Sequence, residues 1–213
     1  MTQSEKHEKS LSYILDSAIE EFAQSKSNEI SINRLCNKYE ISKGKLYHYF
    51  SSKDELYFAC CEYSLRRLTA DISEFTVLPQ LGIEENFHRY YERRIDYWKD
   101  HVDEFALFYY AVLKFNMEND HRLSERLFIH KEIRTRKWKE IFSKSSGSLN
   151  ITDDDLHEIL KTLYDNLFIH HMKKYVNALK SNDGETAQFY KNNLLELNDK
   201  VIHVMLHGLL SIK

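Results

Sequence analysis

Glycine and proline are almost absent from this chain. There are five and one of them in 213 residues, about 3% where average usage is about 12%. Most tight turns lean on those two residues, so a sandwich or barrel that reverses every ten residues or so is excluded. What remains is an all-α chain with long helices and few connections. Hydrophobic residues at 42% and charged residues at 30% supply a core under a solvated surface, which argues against disorder. The length suits one large domain, or a small domain followed by a larger one.

The net charge is −3, which excludes a wholly basic nucleic-acid coat but not a local basic patch. The three cysteines are Cys36, Cys60 and Cys61; adjacent cysteines fit disulfide geometry poorly, so no secreted disulfide framework is expected. Met1 to Ser10 is polar and carries no apolar signal region. The longest apolar run, Phe105 to Leu113, spans roughly 13 Å as a helix, less than half a bilayer core. A cytoplasmic, reduced protein is expected, with no membrane partner.

Hydrophobic spacing predicts the helices. Leu11, Ile14, Leu15, Ala18, Ile19 and Phe22 form one stripe of a first helix. Ser31 caps a second, with Ile30 placed to staple onto Leu35 and Ile32, Leu35, Cys36 and Tyr39 inward. It runs to about Tyr39. Ser42 caps a short third helix that carries Leu46 and ends near Phe50. Ser52-Lys53-Asp54-Glu55 is a capping box opening a longer fourth helix to about Phe75. Pro79 and Gly82 break the chain. Further helices are predicted from about Ile83 to Asp100, Val102 to Asn116 and His121 to Lys144. A loop over Ser143 to Asn150 follows. A helix capped by Thr152 then runs to Asn182-Asp183-Gly184, and a last one over Glu185 to about Leu210. No strand or repeat is expected.

Two short helices joined by Glu40-Ile41 have the shape of a helix-turn-helix, whose second helix enters the major groove. Between Ser31 and Lys53 the bases are Arg34, Lys38, Lys43, Lys45 and Lys53 and the only acid is Glu40, a net +4 inside a protein of net −3. The first 30 residues carry three lysines and six acids, so positive charge is focused on this segment. With Tyr47, His48 and Tyr49 interleaved it suits phosphate contact.

The residues Ile14-Leu15-Asp16-Ser17-Ala18 with Phe22, then Ile41-Ser42-Lys43-Gly44-Lys45-Leu46-Tyr47-His48-Tyr49-Phe50 and Ser52-Lys53-Asp54-Glu55-Leu56, resemble the DNA-binding domain of the TetR family of bacterial transcriptional repressors. The resemblance covers about residues 9–68, with the helix-turn-helix at 31–50. It implies that Ser31 bonds a phosphate. Ser42, Lys43, Gly44 and Lys45 then lie at the groove, with Gly44 permitting close backbone approach. Tyr47, His48 and Tyr49 reach phosphates and base methyls, Lys53 binds phosphate, and Leu46 and Phe50 are core. The turn departs from the family's usual Ala-Gly-Val-Ser. The missing glycine forces a left-handed residue at Glu40 or else a differently shaped turn.

The same resemblance implies a second domain, 77–213, that binds an effector and dimerises. The aromatic density from Ile83 to Tyr175 suggests Tyr91, Trp98, Phe105, Phe108, Tyr109, Phe115, Tyr164 and Phe168 as lining for a small, largely apolar, aromatic or acyl ligand. Asp165 or His171 would add a polar group. Tyr190, Leu194, Leu197, Val201, Val204 and Gly208 recur in a heptad-like seam, as do Leu156, Leu160, Leu163 and Leu167. These suggest a homodimer joined as a four-helix bundle on a palindromic double-stranded DNA operator. His203 and His207 are spaced i, i+4, and His170-His171 precede them. With no Glu in the zinc-protease position and no Cys nearby, they read as helix-surface or interface residues, and no metal site or cofactor is expected. No phosphate loop, nucleophile elbow or paired carboxylates suggest an enzyme. The rival reading is a helical interaction protein whose basic segment binds something other than DNA.

Overall fold

The computed structural model describes residues 2–25, 30–115, 121–144, 158, 162 and 168–209. Its helices are α1 (Gln3–Ser25), α2 (Ile32–Lys38), α3 (Lys43–Tyr49), α4 (Lys53–Glu74), α5 (Ile83–Asp100), α6 (Val102–Phe115), α7 (His121–Ser143), α8 (Ile169–Lys180) and α9 (Gly184–Val204). A short π turn, Met205–Leu209, follows α9. Among the described residues there is no strand, as expected for a chain so poor in turn formers. The expected loop over 145–150, the Thr152 cap and the seam of Leu156, Leu160, Leu163 and Leu167 lie outside the described residues.

Two compact units divide the chain: residues 1–68 with 103–130, and residues 69–102 with 131–213. Residues 103–130 lie beyond the expected domain boundary, yet they pack with the first unit. The core of that unit is built from Ile14, Leu15, Ala18, Ile19 and Phe22 of α1, Leu35 and Cys36 of α2, Leu46 of α3 and Leu56, Tyr57, Cys60 and Cys61 of α4. Leu107, Ala111 and Leu123 complete it. The Phe22 ring meets Tyr57 edge-on at 5.0 Å. All three cysteines are buried thiols outside any disulfide, and burial pushes the Cys60 thiol well above its ordinary pKa.

The first helix starts earlier than its apolar stripe. The Thr2 hydroxyl accepts from the Glu5 backbone N–H (3.2 Å), and the Glu5 carboxylate accepts from the Thr2 N–H (2.8 Å). This reciprocal capping box extends α1 by two turns of polar residues.

In the second unit α5, α8 and α9 pack together. Phe87, Tyr90, Ile95 and Trp98 of α5, Met172, Tyr175 and Val176 of α8, and Leu194 and Ile202 of α9 are buried, with Trp138, Ile141 and Phe142 of α7. The buried Asn86 side chain organises the break at Pro79 and Gly82. Its Oδ1 accepts from Leu78 N–H (2.9 Å), and its Nδ2 donates to the Leu78, Leu81 and Gly82 carbonyls (3.0–3.2 Å). Turn chemistry here comes from one asparagine side chain rather than from a run of glycines.

Two helix ends use left-handed residues that are not glycine. Glu40, just past α2, and Asn182, just past α8, both have φ 54°. In each case the following N–H bonds back across the last turn: Ile41 N–H to the Cys36 carbonyl (2.9 Å) and Asp183 N–H to the Ala178 carbonyl (3.1 Å). This is the Schellman closure, and asparagine tolerates it far better than glutamate does. A glutamate held there costs roughly 1–2 kcal/mol, part of which glycine would return through the greater freedom of the unfolded chain. Glu40→Gly is therefore expected to stabilise the fold by about 0.5–1 kcal/mol, a rise in Tm of about 1–4 °C in thermal unfolding. A fall in Tm would show that the glutamate side chain itself holds the turn.

Candidate nucleic-acid interface

The interface is built on α2 and α3, two seven-residue helices with a left-handed residue between them. Each opens on a serine cap. The Ser31 hydroxyl accepts from Arg34 N–H (3.3 Å), and the Ser42 hydroxyl accepts from Lys45 N–H (3.2 Å). An accepting hydroxyl still has its own proton to donate, so both serines can cap a helix and reach an anion. Ile30, Leu35 and Ile41 are buried in one cluster with Leu46 and Phe50. This anchoring turns the other face of α3 outward. Ser42, Lys43, Gly44, Lys45, Tyr47 and His48 are all exposed, Tyr47 at 53%.

The flanks of this face are held in place. The Tyr49 hydroxyl meets His7 Nδ1 at 3.2 Å, tying the end of α3 to the first turns of α1, and the Tyr13 hydroxyl donates to the Tyr39 carbonyl (2.9 Å). At the start of α4 the Ser52 hydroxyl accepts from Glu55 N–H (3.1 Å). The Glu55 carboxylate, however, reaches Ser51 rather than Ser52, taking both its N–H (2.6 Å) and its hydroxyl (2.5 Å). Those bonds lower the Glu55 pKa. Lys53 sits half-buried in the first turn beside this cap.

The five basic residues of the segment divide into two kinds. Arg34 Nε lies 3.1 Å from Glu21, and Lys38 Nζ lies 2.9 Å from both Glu20 and Glu21. The Glu21 side chain is only 4% exposed. Hydrogen bonds to Tyr39, Glu21 and Glu20 raise the pKa of the Lys38 ammonium, and bonding to Lys38 lowers that of Glu20. Arg34 and Lys38 thus clamp α2 to α1. Lys43, Lys45 and Lys53 carry no ion pair among the described residues, and they are the cations the segment presents.

The other expected sets are dispersed. Tyr91, Trp98 and Phe168 are buried in the second unit, where the Tyr91 and Phe168 rings lie 6.1 Å apart. Phe105, Phe108 and Tyr109 belong to the first unit, where Phe105 and Tyr109 are in ring contact. The expected lining is therefore not gathered inside one unit. Tyr164, Asp165 and the side chain of Phe115 lie outside what is described. Burial lowers the His171 pKa, helped by the charge of Lys174. On α9 Leu194 is wholly buried in its own unit. Tyr190, Leu197 and Val201 are half-buried, and Val204 is 59% exposed. Gly208 lies in the π turn Met205–Leu209. Phe189, 60% exposed beside this strip, was not in the expected seam because its position is out of register with the heptad.

Residues 14–60 match the family described as bacterial regulatory proteins, tetR family. The Transposon Tn10 TetC protein of Escherichia coli is 27% identical over 205 residues, spanning 93% of this chain and 97% of that protein. Among solved structures, a TetR-like transcriptional regulator from Rhodococcus sp. RHA1 has a TM-score of 0.63 at 18% identity, covering 93% of this chain and 96% of its own. The transcriptional regulator FadR from Bacillus subtilis, solved in complex with stearoyl-CoA, has a TM-score of 0.56 at 14% identity, over 93% of this chain and 98% of its own. Likeness at these identities establishes a shared fold.

The division of the cations has a measurable consequence. Lys38→Ala and Glu21→Gln should each lower Tm, and together by less than the sum, because they break one clamp. Lys43→Ala, Lys45→Ala and Lys53→Ala should leave stability within about 0.5 kcal/mol of the parent. Equal Tm losses for Lys38 and Lys43 variants would contradict this assignment.

Proposed function

Because the chain belongs to the tetR family of bacterial regulatory proteins, on the match of residues 14–60, we propose that it is a dimeric repressor that binds a palindromic operator and is released by a small, largely apolar effector. A DNA-binding regulator is the family's general role.

One observation carries the DNA-reading assignment. A Cβ built on Gly44 would meet nothing within 4 Å, and Gly44 has no left-handed φ. Neither packing nor backbone geometry of the chain therefore asks for glycine at the second position of α3, where it costs helix stability. A duplex approaching the exposed face does ask for it. Around it, Lys43 and Lys45 serve the groove, Lys53 and Ser31 serve phosphates, and Ser42, Tyr47, His48 and Tyr49 frame the contact.

The DNA-binding domain in this reading is 9–68 and the effector and dimerisation domain 77–213. The strip Tyr190, Leu197, Val201 and Val204 offers an apolar flank of α9 for a second copy, and Leu194 serves its own core. The effector is held in the second unit near Tyr91, Trp98 and Phe168. The relative solved with stearoyl-CoA supports an acyl ligand there. The effector must prefer the geometry that does not fit DNA, since equal affinity for both states shifts nothing. The natural lever is α4, which begins at Lys53 and contributes residues to both units.

The test is binding to promoter DNA from beside the gene, as a function of salt. Gly44→Ala should raise Tm, by up to about 1 kcal/mol of stability, while weakening operator binding at least tenfold. Lys53→Ala should weaken binding to all sequences alike and reduce the log–log salt slope by about 0.9 per chain. Lys43→Ala or Lys45→Ala should also relax sequence preference, by about 1–3 kcal/mol where a base contact is lost. Unchanged affinity in all four variants would overturn the reading, as would light scattering that shows a monomer both free and on DNA.

A further inference from the structure

The first turn of α5, the last turn of α9 and the π turn that follows α9 bring three metal-ligating side chains together. His203 Nδ1 lies 3.0 Å from Glu84 Oε1, and His207 Nε2 lies 3.1 Å from the same oxygen. All three donor atoms fall within 4.8 Å of one another. We propose that Glu84, His203 and His207 form a binding site for a divalent transition metal ion of the zinc class.

The donor set and the spacing both suit such an ion. Two histidines at i, i+4 project from one face of a helix, and with a carboxylate they make a two-His, one-carboxylate set. Around a tetrahedral ion with bonds of about 2.0–2.1 Å, neighbouring ligand atoms stand about 3.3 Å apart. The 3.0 and 3.1 Å separations are close to that edge. Expanding them by a few tenths of an ångström admits the ion. Imidazole nitrogen selects the zinc, copper and nickel group over magnesium and calcium. All three residues are exposed, so at least one coordination position is left to water.

The frame around the site is already in register. Asp96 pairs with Lys191 (2.7 Å) and His88 with Asp199 (2.9 Å), followed by Glu84 with His203. Each step back along α5 is matched by an equal step forward along α9, so the two helices run antiparallel with a polar ladder between them. The ladder fixes Glu84 opposite the histidines before any ion arrives, which lowers the cost of ordering the ligands. His207 lies in the π turn Met205–Leu209, a local widening often found at functional sites. Sequence alone offered two of the three residues, because Glu84 is 119 residues from His203.

The test uses the full chain without a polyhistidine tag, stripped with chelator and titrated with ZnCl2 by calorimetry. One strong site per chain is expected. His203→Ala, His207→Ala and Glu84→Gln should each weaken it at least tenfold, whereas His170→Ala should not. Substituted Co2+ should give a d–d absorption spectrum that changes in Glu84→Gln, a readout independent of folding, and circular dichroism should show unaltered helix in that variant. Absence of Zn2+ uptake by the parent would overturn the proposal. So would parent-like affinity in Glu84→Gln and His207→Ala, which would put the bound ion elsewhere among the histidines.

Discussion

A seven-residue helix does not hold itself together in water, where isolated helices shorter than about 12–15 residues are marginal. Both helices of the interface are of that length. The outward face of α3 therefore depends on what the opposite side of the helix is fastened to. Leu46 at 2% and Phe50 at 7% exposure are sunk in a core supplied by α1, α2 and α4, and Ser42 satisfies the first orphan donors. Because two apolar anchors and a cap fix the helix, Lys43, Gly44, Lys45, Tyr47 and His48 are left to point outward. A substitution at Leu46 would disorder the outward face of α3, although Leu46 itself is buried.

The turn between those helices makes the same point in backbone terms. Its geometry demands one left-handed residue, and the chain places glutamate there rather than glycine. The closure survives because the Ile41 N–H reaches the Cys36 carbonyl and Ile41 itself is buried in the cluster. Packing of the residue after the turn outweighs the strain of the residue within it. This also leaves a carboxylate on the exposed side of the turn, close to the cations that face outward.

Much of this was legible in the sequence. Serine caps, the Ile30–Leu35 staple and the 3.6-residue stripe are local signals, each complete within a few residues, and the structure bears out the helix-turn-helix they describe. Other signals depend on partners distant in sequence. The all-apolar Phe105–Leu113 stretch announces burial but carries no address, and Leu107 and Ala111 proved to belong to the first unit. A heptad-like spacing on α9 cannot distinguish a chain's own core from a partner's surface, since both ask for apolar residues; Leu194 went to the core. The capping box at Thr2 and Glu5 was visible as a motif, but its polar turns had no apolar stripe to announce them.

Charge is where counting and structure part most usefully. Five bases in the segment suggest a strong positive field, yet Arg34 and Lys38 are neutralised by Glu20 and Glu21 from α1. The three lysines that remain would release roughly three counterions per chain on binding DNA, a log–log salt slope near −3. The rest of the protein is acidic, but its repulsion is screened beyond a Debye length of about 10 Å at 0.1 M salt. Setting two copies of the same face on one duplex would double the slope to about −6 without adding a single basic residue. Under the proposed function, sparing cationic charge would tie DNA binding to a second copy of the chain: the clamp between α1 and α2 takes two cations out of the count, and two-fold symmetry would replace them.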